Sequence, residues 1–507
     1  MDAQEFLKGL PLTGALEPRE YQIAAAAEVV EKGNSLVVMP TALGKTFVSI
    51  LVMAKLLATN PDSKILFLAP TKPLAVQQAA SIRELISIPA EKVLVITGET
   101  GKEGRKELYA RAQIISATPQ TIENDLDILG LNDFSLIVFD EAHRTIGEYA
   151  YATIAKRAQG AKALLLGLTA SPSSEKGKIE EICGHLAIRH VVARNETDDD
   201  VAQYVNKITV ERIPVELNPE LLAISSSLQT LAQESYLKLS RLDFLSLTSS
   251  RPNKTQLLAA RMRLLSWNSP AKYSLISVLA RLMNVLHALD LLESEGVAAL
   301  HSYIINLEKR KAESKAVREL AADYRIKAVE RRCSELLAAG IEHPKIFKLV
   351  SIVSSYALEG KSVIVFAHFR DSVRTLVERL NAAGVSAKAL VGKSGEGMNQ
   401  KRQVATLEEF RNKGFSVLVG TSVIEEGIDV PAADAVVFYD AVPSEIRAIQ
   451  RRGRTGRVRE GKAIILYTKG TKDEAYHWSS RNKERKMRIR VEELKKGVPA
   501  RQERLEG

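Results

Sequence analysis

The segment Met39-Pro-Thr-Ala-Leu-Gly-Lys-Thr46 lies between a short apolar run and an amphipathic stretch, which predicts a strand, a loop and a helix. A loop that opens a helix presents backbone N–H groups to phosphate oxygens. Lys45 is suited to neutralise phosphate charge and Thr46 to ligate Mg²⁺. A Gly-Lys-Thr tripeptide alone is weak evidence, but this placement indicates an ATP-binding loop. Its predicted contacts are Thr41, Ala42, Leu43, Gly44, Lys45 and Thr46.

The loop departs from the usual pattern at Ala42, where loops of this kind normally carry glycine. If that position requires a positive φ, alanine costs about 1 kcal/mol or more relative to glycine. The rate of ATP turnover therefore stays open at this point. A protein that binds nucleic acid but hydrolyses ATP weakly remains one alternative.

A second motif, Asp140-Glu-Ala-His143, ends the apolar run Leu136–Phe139. Ligands of parallel sheets lie at the carboxyl ends of the strands. Asp140 is therefore predicted to hold Mg²⁺ together with Thr46, and Glu141 to activate water. The alternative is an acid-rich helix start without catalysis, but the pairing with a phosphate-binding loop favours the catalytic interpretation.

A third motif, Gln450-Arg-Arg-Gly-Arg-Thr-Gly-Arg457, places glycines between arginines. Such arginines can reach the γ-phosphate and stabilise charge in the transition state. The alternative is a basic cluster that lines a nucleic-acid surface, which is the simpler interpretation for Arg451 and Arg452.

The elements around these motifs predict an α/β fold with two parallel-sheet domains and an all-helical insertion between them. Buried parallel strands read as short apolar runs separated by amphipathic helices. The predicted strands of the first domain are Ser35–Met39, Ile65–Ala69, Val93–Ile96, Ile114–Ala117, Leu136–Phe139 and Ala163–Leu168; those of the second are Ser362–Ala367, Ser386–Leu390, Ser416–Val419, Ala435–Tyr439 and Ala463–Tyr467.

Between these two sets the spacing of apolar residues becomes helical, with predicted helices over Leu257–Leu265, Leu275–Leu292 and Val317–Ala338. Breaks are expected at Pro252, Pro270 and Gly296. The predicted domain boundaries are residues 1–205 for the first motor domain, 206–345 for the insertion, and 346–507 for the second motor domain with a basic helical tail.

The insertion contains a stretch, Arg251–Arg281, with six Lys or Arg and no Asp or Glu, which suits contact with phosphates. Trp267 could stack on an exposed base, although a core position is the more common role for such a residue. The candidate phosphate contacts in this stretch are Arg251, Lys254, Arg261 and Arg263.

Bulk properties agree with a soluble protein that binds a polyanion. The chain has 507 residues, a formal net charge of +10 and two widely separated cysteines. The positive excess fits a nucleic-acid partner and fits a solvated surface rich in lysine and arginine equally well. The cysteines match no metal-binding spacing. The N-terminus shows no signal peptide, and the apolar runs are shorter than a membrane span. A cytoplasmic location is expected, associated with the nucleoid if the source is prokaryotic.

Together these motifs resemble those of superfamily-two helicases of the DEAH type, in the order that the family shows. The resemblance covers nearly the whole chain and implies two RecA-like motor domains that close around ATP and Mg²⁺. Further segments that carry it are Arg19-Glu-Tyr-Gln22, Ala69-Pro-Thr-Lys72, Thr97-Gly-Glu99, Ala117-Thr-Pro-Gln120, Thr169-Ala-Ser171 and Thr421-Ser-Val-Ile-Glu-Glu-Gly-Ile-Asp429.

The resemblance implies a role for each segment. Arg19 and Gln22 would read adenine, Asp429 would contact ribose, and Arg454 and Arg457 would be arginine fingers. Gly427 and Gln450 are further expected nucleotide contacts, and His143, Thr169 and Ser171 would transmit the nucleotide state. The expected nucleic-acid contacts are Thr71, Lys72, Thr118, Pro119, Gln120, Arg370, Thr421 and Ser422, with His368 beside them.

The helical insertion resembles the helicase branch that holds archaeal Hef, the Fanconi anaemia group M translocase, Dicer and the innate-immune RNA sensors. Within this branch, the segments Thr471–Lys486, Ser444–Arg452 and Pro40–Thr46 resemble Hef. The resemblance to Hef implies a DNA translocase acting on stalled forks and four-way junctions, with a sliding clamp or a nuclease as a possible partner. Two alternatives remain, an ATP-gated switch that binds double-stranded RNA and a DNA-binding scaffold with weak ATPase activity. Proteins of the Hef type commonly carry a nuclease module after the motor, and this sequence shows none.

Overall fold

The computed structural model describes residues 3–15, 17–40, 43–147, 149–173, 175–206, 208–245, 251–310, 312, 314–392, 397–421, 430–440 and 461–495. In the first domain, seven parallel strands form one sheet in the order β3-β4-β2-β5-β6-β1-β7. The strands are β1 (Ser35–Val38), β2 (Lys64–Leu68), β3 (Val93–Ile96), β4 (Ile114–Ala117), β5 (Phe134–Asp140), β6 (Leu164–Thr169) and β7 (His190–Ala193).

The first six strands confirm the predicted ones to within two residues at each end, since each is an apolar run and all but the half-buried β3 are almost continuously buried. The seventh strand, β7, was missed. It has four residues and begins with the partly exposed His190, so its apolar signal is brief. It pairs with β1 at the edge of the sheet.

Helices cover both faces of this sheet and bury two apolar cores. Helix α2 begins with a capping box, in which the Gln22 side chain accepts from the N–H of Arg19. The helices of this domain are α1 (Ala3–Leu7), α2 (Glu20–Lys32), α3 (Lys45–Thr59), α4 (Lys72–Leu85), α5 (Lys102–Arg111), α6 (Pro119–Asn124), α7 (Ala150–Ala158), α8 (Lys176–His185) and α9 (Asp199–Ala202).

The insertion is a bundle of six helices around its own core. Pro252, Pro270 and Gly296 lie between helices, as predicted. The prediction of one helix over Val317–Ala338 was wrong, because Asp323 ends one helix and caps the next by accepting from the N–H of Arg325. The helices are α10 (Pro219–Ser240), α11 (Lys254–Ser266), α12 (Lys272–Ser294), α13 (Val297–Lys309), α14 (Lys315–Ala322) and α15 (Tyr324–Ala338).

By length and composition alone, α12 could cross a membrane, with a mean hydropathy of 1.6 over its most apolar window. Half of that window is buried, and α12 packs against α10, α11, α13 and α14. These contacts are those of the central helix of a bundle.

Among the described residues, the second sheet has six parallel strands in the order β10-β11-β9-β12-β13-β8. Five of them confirm the strands predicted for this domain. The sixth, β8, comes from residues that the predicted boundary at 206 assigned to the helical insertion, and it pairs with β13. Only its last residue, Val215, is fully buried, so β8 lacks an apolar run. The strands are β8 (Ile208–Val215), β9 (Val363–Phe366), β10 (Ala387–Leu390), β11 (Val417–Gly420), β12 (Ala435–Phe438) and β13 (Gly461–Thr468).

The described helices of the second domain are α16 (Pro344–Leu358), α17 (Arg370–Ala382), α18 (Gln400–Arg411) and α19 (Lys472–Lys495). Helix α19 contacts β13, α12 and the first-domain strand β7. Its residues Val491 and Leu494 lie in a core of the first domain, and Lys495 forms an ion pair of 2.8 Å with Asp198. The basic tail thus connects all three parts of the chain.

Candidate ATP site and nucleic-acid contacts

The phosphate-binding loop lies at the carboxyl end of β1, where it leads into α3. Gly44 immediately precedes α3 and has a left-handed φ of 75°. A Cβ atom at Gly44 would lie 2.5 Å from Nε2 of Gln22, so glycine is required for both conformation and space. The Nζ atom of Lys45 donates to the carbonyl of Met39 at 3.2 Å. Thr46 is in the first turn of α3, and Thr41 and Ala42 lie outside the described residues.

The two predicted adenine readers lie directly against this loop. Nε2 of Gln22 donates to the carbonyl of Leu43 at 3.1 Å, and Oε1 accepts from the N–H of Arg19 at 3.0 Å. The guanidinium of Arg19 lies over the ring of Tyr204, 4.6 Å from its centroid. The structure therefore places Arg19 and Gln22 beside the end of the phosphate loop, where it enters α3.

The acidic pair stands at the end of β5, two strands from β1 in the sheet. Asp140 is 7% exposed. Burial raises the pKa of Asp140 to about 7, the charge of Glu141 acts in the same direction, and Lys45 opposes both. Glu141 has a φ of 52°, a left-handed conformation that is uncommon for glutamate and is often found at functional sites.

The same two carboxylates fit a magnesium ion. Among the described residues, Oε2 of Glu141 is buried without a hydrogen-bond partner, and the nearby Asp140 is held partly protonated by its surroundings. A divalent cation would relieve both effects. Mg²⁺ is commonly held by one or two protein oxygens together with phosphates and water, and the hydroxyl of Thr46 and the carboxylate of Asp140 would supply these protein oxygens.

His143 links the acidic pair to the adjacent strand β6. Its Nδ1 atom lies 3.2 Å from Oγ1 of Thr169 and 3.3 Å from Oε2 of Glu141. Burial lowers the pKa of His143, so the ring is neutral near pH 7. The hydroxyl of Thr169 accepts from the N–H of Ser171 at 3.2 Å, and its carbonyl accepts from the N–H of Met39 at 3.1 Å. The predicted coupling residues thus contact both the acidic pair and the base of the phosphate loop.

The predicted nucleic-acid contacts of the first domain follow the neighbouring strands β2 and β4. Thr71 and Thr118 precede α4 and α6, Pro119 is buried and Gln120 is exposed. Lys72 forms an ion pair with Glu99 of the loop after β3. These loops share one edge of the sheet.

In the second domain, Arg370 opens α17 and donates to the carbonyl of Gly392 at 3.0 Å. The N–H of His368 donates to Asp440 at 2.6 Å. Thr421 follows β11 and is 8% exposed. The predicted residues that lie outside the described part are Ser422, Gly427, Asp429, Gln450, Arg451, Arg452, Arg454 and Arg457.

The four basic candidates of the insertion divide into two groups. Arg251 makes two hydrogen bonds, of 2.7 and 2.9 Å, to the buried carboxylate of Glu293. Arg263 donates to the carbonyls of Asp243 and Phe244 at 3.1 and 2.6 Å. Both therefore have structural contacts, whereas Lys254 and Arg261 are exposed to solvent.

Trp267 packs against the core of the insertion. Its ring meets Phe244 edge-on at 5.3 Å. This contact agrees with a core position for Trp267. It gives no structural support to the alternative role, in which Trp267 stacks on an exposed base.

Sequence reasoning missed two sets of buried polar residues. The hydroxyl of Tyr21 donates to the carbonyl of Leu43 beside Gln22. Lys345 is fully buried and contacts Asp440 and Asp473 at the junction between the insertion and the second sheet. Lysine and tyrosine at amphipathic helix positions give no signal of such contacts, because the partners are up to 128 residues away.

Comparison with known proteins assigns the family. Family models match at residues 19–179 (DEAD/DEAH box helicase), 221–337 (ATP-dependent RNA helicase, helical bundle) and 344–459 (helicase conserved C-terminal domain). The solved Hef helicase domain of Pyrococcus furiosus is 40% identical, with a TM-score of 0.71, and the match covers 92% of this chain and 98% of that one. This chain belongs to the Hef type of DEAD/DEAH-box helicases. The predicted family, fold class and enzyme class, an ATP-hydrolysing helicase, are thereby confirmed.

Curated relatives match over nearly all of this Hef-type chain. A Methanocaldococcus jannaschii protein named as an ATP-dependent RNA helicase is 39% identical over 93% of this chain and 60% of its own length. The ATP-dependent DNA helicase mph1 of Neurospora crassa is 32% identical over 92% and 42%. The Fanconi anemia group M protein of Gallus gallus is 29% identical over 92% and 26%. The chain thus spans between about a quarter and 60% of the length of these three relatives.

Proposed function

We propose that the protein is an ATP-driven translocase that remodels branched DNA, such as stalled forks and four-way junctions, during repair and replication-fork processing. The observation that carries this proposal is the 40% identity to the Hef helicase domain over 98% of that domain, with the helical bundle included. Two relatives in this group have names that refer to DNA or to Fanconi anemia. A cytoplasmic, chromosome-associated location is part of the proposal.

In the proposed reaction, Lys45 and the first-turn amides of α3 bind the phosphates while Arg19 and Gln22 hold the base. Glu141 accepts a proton from the attacking water, since its Oε2 atom is buried and has no hydrogen-bond partner among the described residues. When bound at Thr46 and Asp140, Mg²⁺ would neutralise charge on the phosphates. The arginines Arg454 and Arg457 would complete the site from the second domain.

In the proposed mechanism, the contacts of His143 couple the state of the nucleotide to movement along the nucleic acid. Its ring bridges Glu141 and Thr169, and Thr169 also accepts from Ser171. A change at the nucleotide would therefore reach the loop after β6 through the 3.3 Å contact of His143 with Glu141 and the hydrogen bonds of Thr169. The two sheets would hold the nucleic-acid backbone separately, and alternate closing and opening would move the protein along it. Because such contacts are to phosphates, the movement should not depend on the base sequence of the nucleic acid.

A second candidate function is supported by the name of one relative and by the name of one matching family model. The Methanocaldococcus jannaschii relative is named as an RNA helicase, and so is the helical-bundle family. An ATP-gated switch that binds double-stranded RNA is the function that these names favour. The choice between DNA and RNA is therefore the point that the experiment has to decide.

The test is the steady-state ATPase rate with a four-way DNA junction, linear duplex DNA and duplex RNA, at a fixed salt concentration. The variant Lys45→Ala removes the phosphate-binding charge, and Lys156→Ala, an exposed lysine on α7, is the matched control. We expect the junction to give the largest stimulation, with a loss of at least about a hundredfold in Lys45→Ala and none in Lys156→Ala.

The other outcomes of this experiment would each support one of the two alternative functions. Stimulation by duplex RNA alone would replace the proposal with the RNA-gated switch. Tight binding to DNA without stimulation by any nucleic acid would leave a DNA-binding scaffold with weak ATPase activity, the alternative that Ala42 keeps open.

A further inference from the structure

A tyrosine hydroxyl connects the predicted adenine readers to the phosphate loop. Tyr21 is fully buried, and its hydroxyl donates to the carbonyl of Leu43 at 2.9 Å. The same oxygen lies within hydrogen-bond distance of two donors, Nη1 of Arg19 at 3.3 Å and Nε2 of Gln22 at 3.4 Å. A hydroxyl has one donor and two acceptor positions, so these three contacts saturate it.

The carbonyl of Leu43 has two donors in the structure, the hydroxyl of Tyr21 and Nε2 of Gln22 at 3.1 Å. This carbonyl immediately precedes Gly44 and the helix that binds phosphate. A carbonyl of a buried loop requires a hydrogen bond, since leaving it without one is unfavourable. While Gln22 is the donor, the amide that would read adenine is engaged with the loop instead.

When Gln22 turns its amide toward a base, the hydroxyl of Tyr21 still satisfies the carbonyl of Leu43. Without that hydroxyl, Gln22 would be the remaining donor of the two, and reading a base would compete with holding the loop. The ring of Tyr21 is itself fixed, because it is buried and packs at 5.6 Å against Tyr204, which also lies under Arg19.

We infer that Tyr21 is a positioning residue of the ATP site, whose hydroxyl holds the phosphate loop at Leu43 so that Gln22 is released to recognise adenine. The inference rests on the proposed role of Gln22 as an adenine reader. It adds that discrimination between bases depends on a side chain that does not touch the base.

The test is the variant Tyr21→Phe, which removes one oxygen and keeps the buried ring. We expect KM for ATP to rise about five- to tenfold in the DNA-stimulated ATPase, which is the effect of losing one buried hydrogen bond. The ratio of kcat/KM for ATP to that for GTP should fall at least about threefold, because GTP does not use the amide of Gln22 in the same way. If Tyr21 had a purely structural role, the variant would lower kcat/KM for ATP and for GTP by the same factor.

The matched control is Tyr303→Phe in α13, which loses a hydroxyl hydrogen bond of 2.8 Å to Asn284 far from the nucleotide. It should leave KM and the ATP-to-GTP ratio unchanged. A double-mutant cycle with Gln22→Ala adds a second measurement, because Tyr21→Phe should no longer change the ATP-to-GTP ratio once the amide is absent. Thermal unfolding of each variant separates loss of fold from loss of nucleotide recognition.

Three results would overturn the inference. If Tyr21→Phe keeps both KM and the ATP-to-GTP ratio within twofold of the parent protein, the hydroxyl does not position the loop, and the proposed function is unaffected. If ATP and GTP turnover fall equally while the melting temperature drops, Tyr21 is a structural residue. If the parent protein itself shows no preference for ATP, the adenine-reading role of Gln22 fails, and this inference fails with it.

Discussion

Two buried clusters, each with a lysine and several carboxylates, differ in how the lysine and the carboxylates contact one another. The ATP-edge cluster contains Lys45, Asp140, Glu141 and His143. The junction cluster contains Lys345, Asp440, Asp473 and Glu295. In the ATP-edge cluster, Oε2 of Glu141 is buried and lies 3.3 Å from Nδ1 of His143 but has no hydrogen-bond partner among the described residues, and Asp140 has a raised pKa.

In the junction cluster, by contrast, Nζ of Lys345 donates to Asp473 at 2.9 Å, to the carbonyl of Tyr439 at 3.1 Å and to Asp440 at 3.5 Å. Burial lowers the pKa of Lys345, but Asp473 and Asp440 outweigh burial and raise it overall. The three donor positions of an ammonium group are thus filled. Both carboxylate oxygens of Glu295 in this junction cluster are nevertheless buried without a hydrogen-bond partner among the described residues, as Oε2 of Glu141 is. An unpaired buried carboxylate therefore does not by itself mark a functional site, and the ATP-edge cluster is distinguished by its place beside the phosphate loop.

The comparison is tested most strongly by Lys345→Met. This variant leaves Asp440 and Asp473 buried without their cation, so we expect a loss of about 3–5 kcal/mol in the free energy of unfolding. Chemical denaturation measures it. The control is Lys348→Met, an exposed lysine one turn along α16, which should change stability little. Equal stability of the two variants would show that the junction cluster is not structural.

The opposite result is expected in the ATP-edge cluster from Glu141→Gln. The change removes the proposed base and should lower kcat at least about a hundredfold, since general base catalysis contributes this much or more. The melting temperature should not fall, because Glu141 adds to the unfavourable charge around the buried Asp140. A large loss of stability without a change in kcat would reverse the distinction between the clusters.

Two glycines test whether the close approach of Gln22 to the phosphate loop affects ATP binding. Gly44 and Gly340 have similar φ values, of 75° and 69°, but a Cβ at Gly340 would meet no atom within 4 Å. Alanine at either position should cost about 1–2 kcal/mol of stability. Gly44→Ala should in addition displace Gln22 and raise KM for ATP, while Gly340→Ala leaves KM unchanged. Equal KM values in ATPase assays would contradict the close approach of Gln22.

The smallest expected effect is a pH dependence within the junction cluster. Burial raises the pKa of Glu295 well above 4.5, Asp440, Asp473 and Asp371 add to the effect, and Lys345 opposes it. Because the folded-state pKa exceeds the unfolded one, this unfavourable contribution is absent below pH 4.5, grows as the pH rises from there to the folded-state pKa, and is constant above it.

Glu295→Gln should therefore stabilise the protein at pH 8, by about 1–3 kcal/mol, and should make no difference near pH 4. Melting temperatures at the two pH values provide the measurement, with the exposed Glu103→Gln as control. A gain of the same size at both pH values would show that titration of Glu295 is not its source.

The sequence predicted most of the elements that carry the ATP site, and the physical reason is local. The strands β1 and β5 are buried on both faces, so each appears in the sequence as an apolar run. Their functional residues lie at or directly after the carboxyl end of the strand. Strand β8 and the break at Asp323 were missed, because an edge strand needs few apolar residues and an aspartate cap resembles an ordinary helical position.

By itself, the sequence determined the family, the two α/β domains, the helical insertion and the positions of Lys45, Asp140, Glu141 and His143, since these follow from residue order and spacing. The tertiary structure alone decided that Arg251 and Arg263 bind within the insertion, that Tyr21 reaches Leu43 and that Lys345 joins Asp440 to Asp473. These contacts connect residues up to 128 positions apart. Local pattern carries no information about such pairs, because a polar side chain on a helix looks alike whether it faces water or a buried partner.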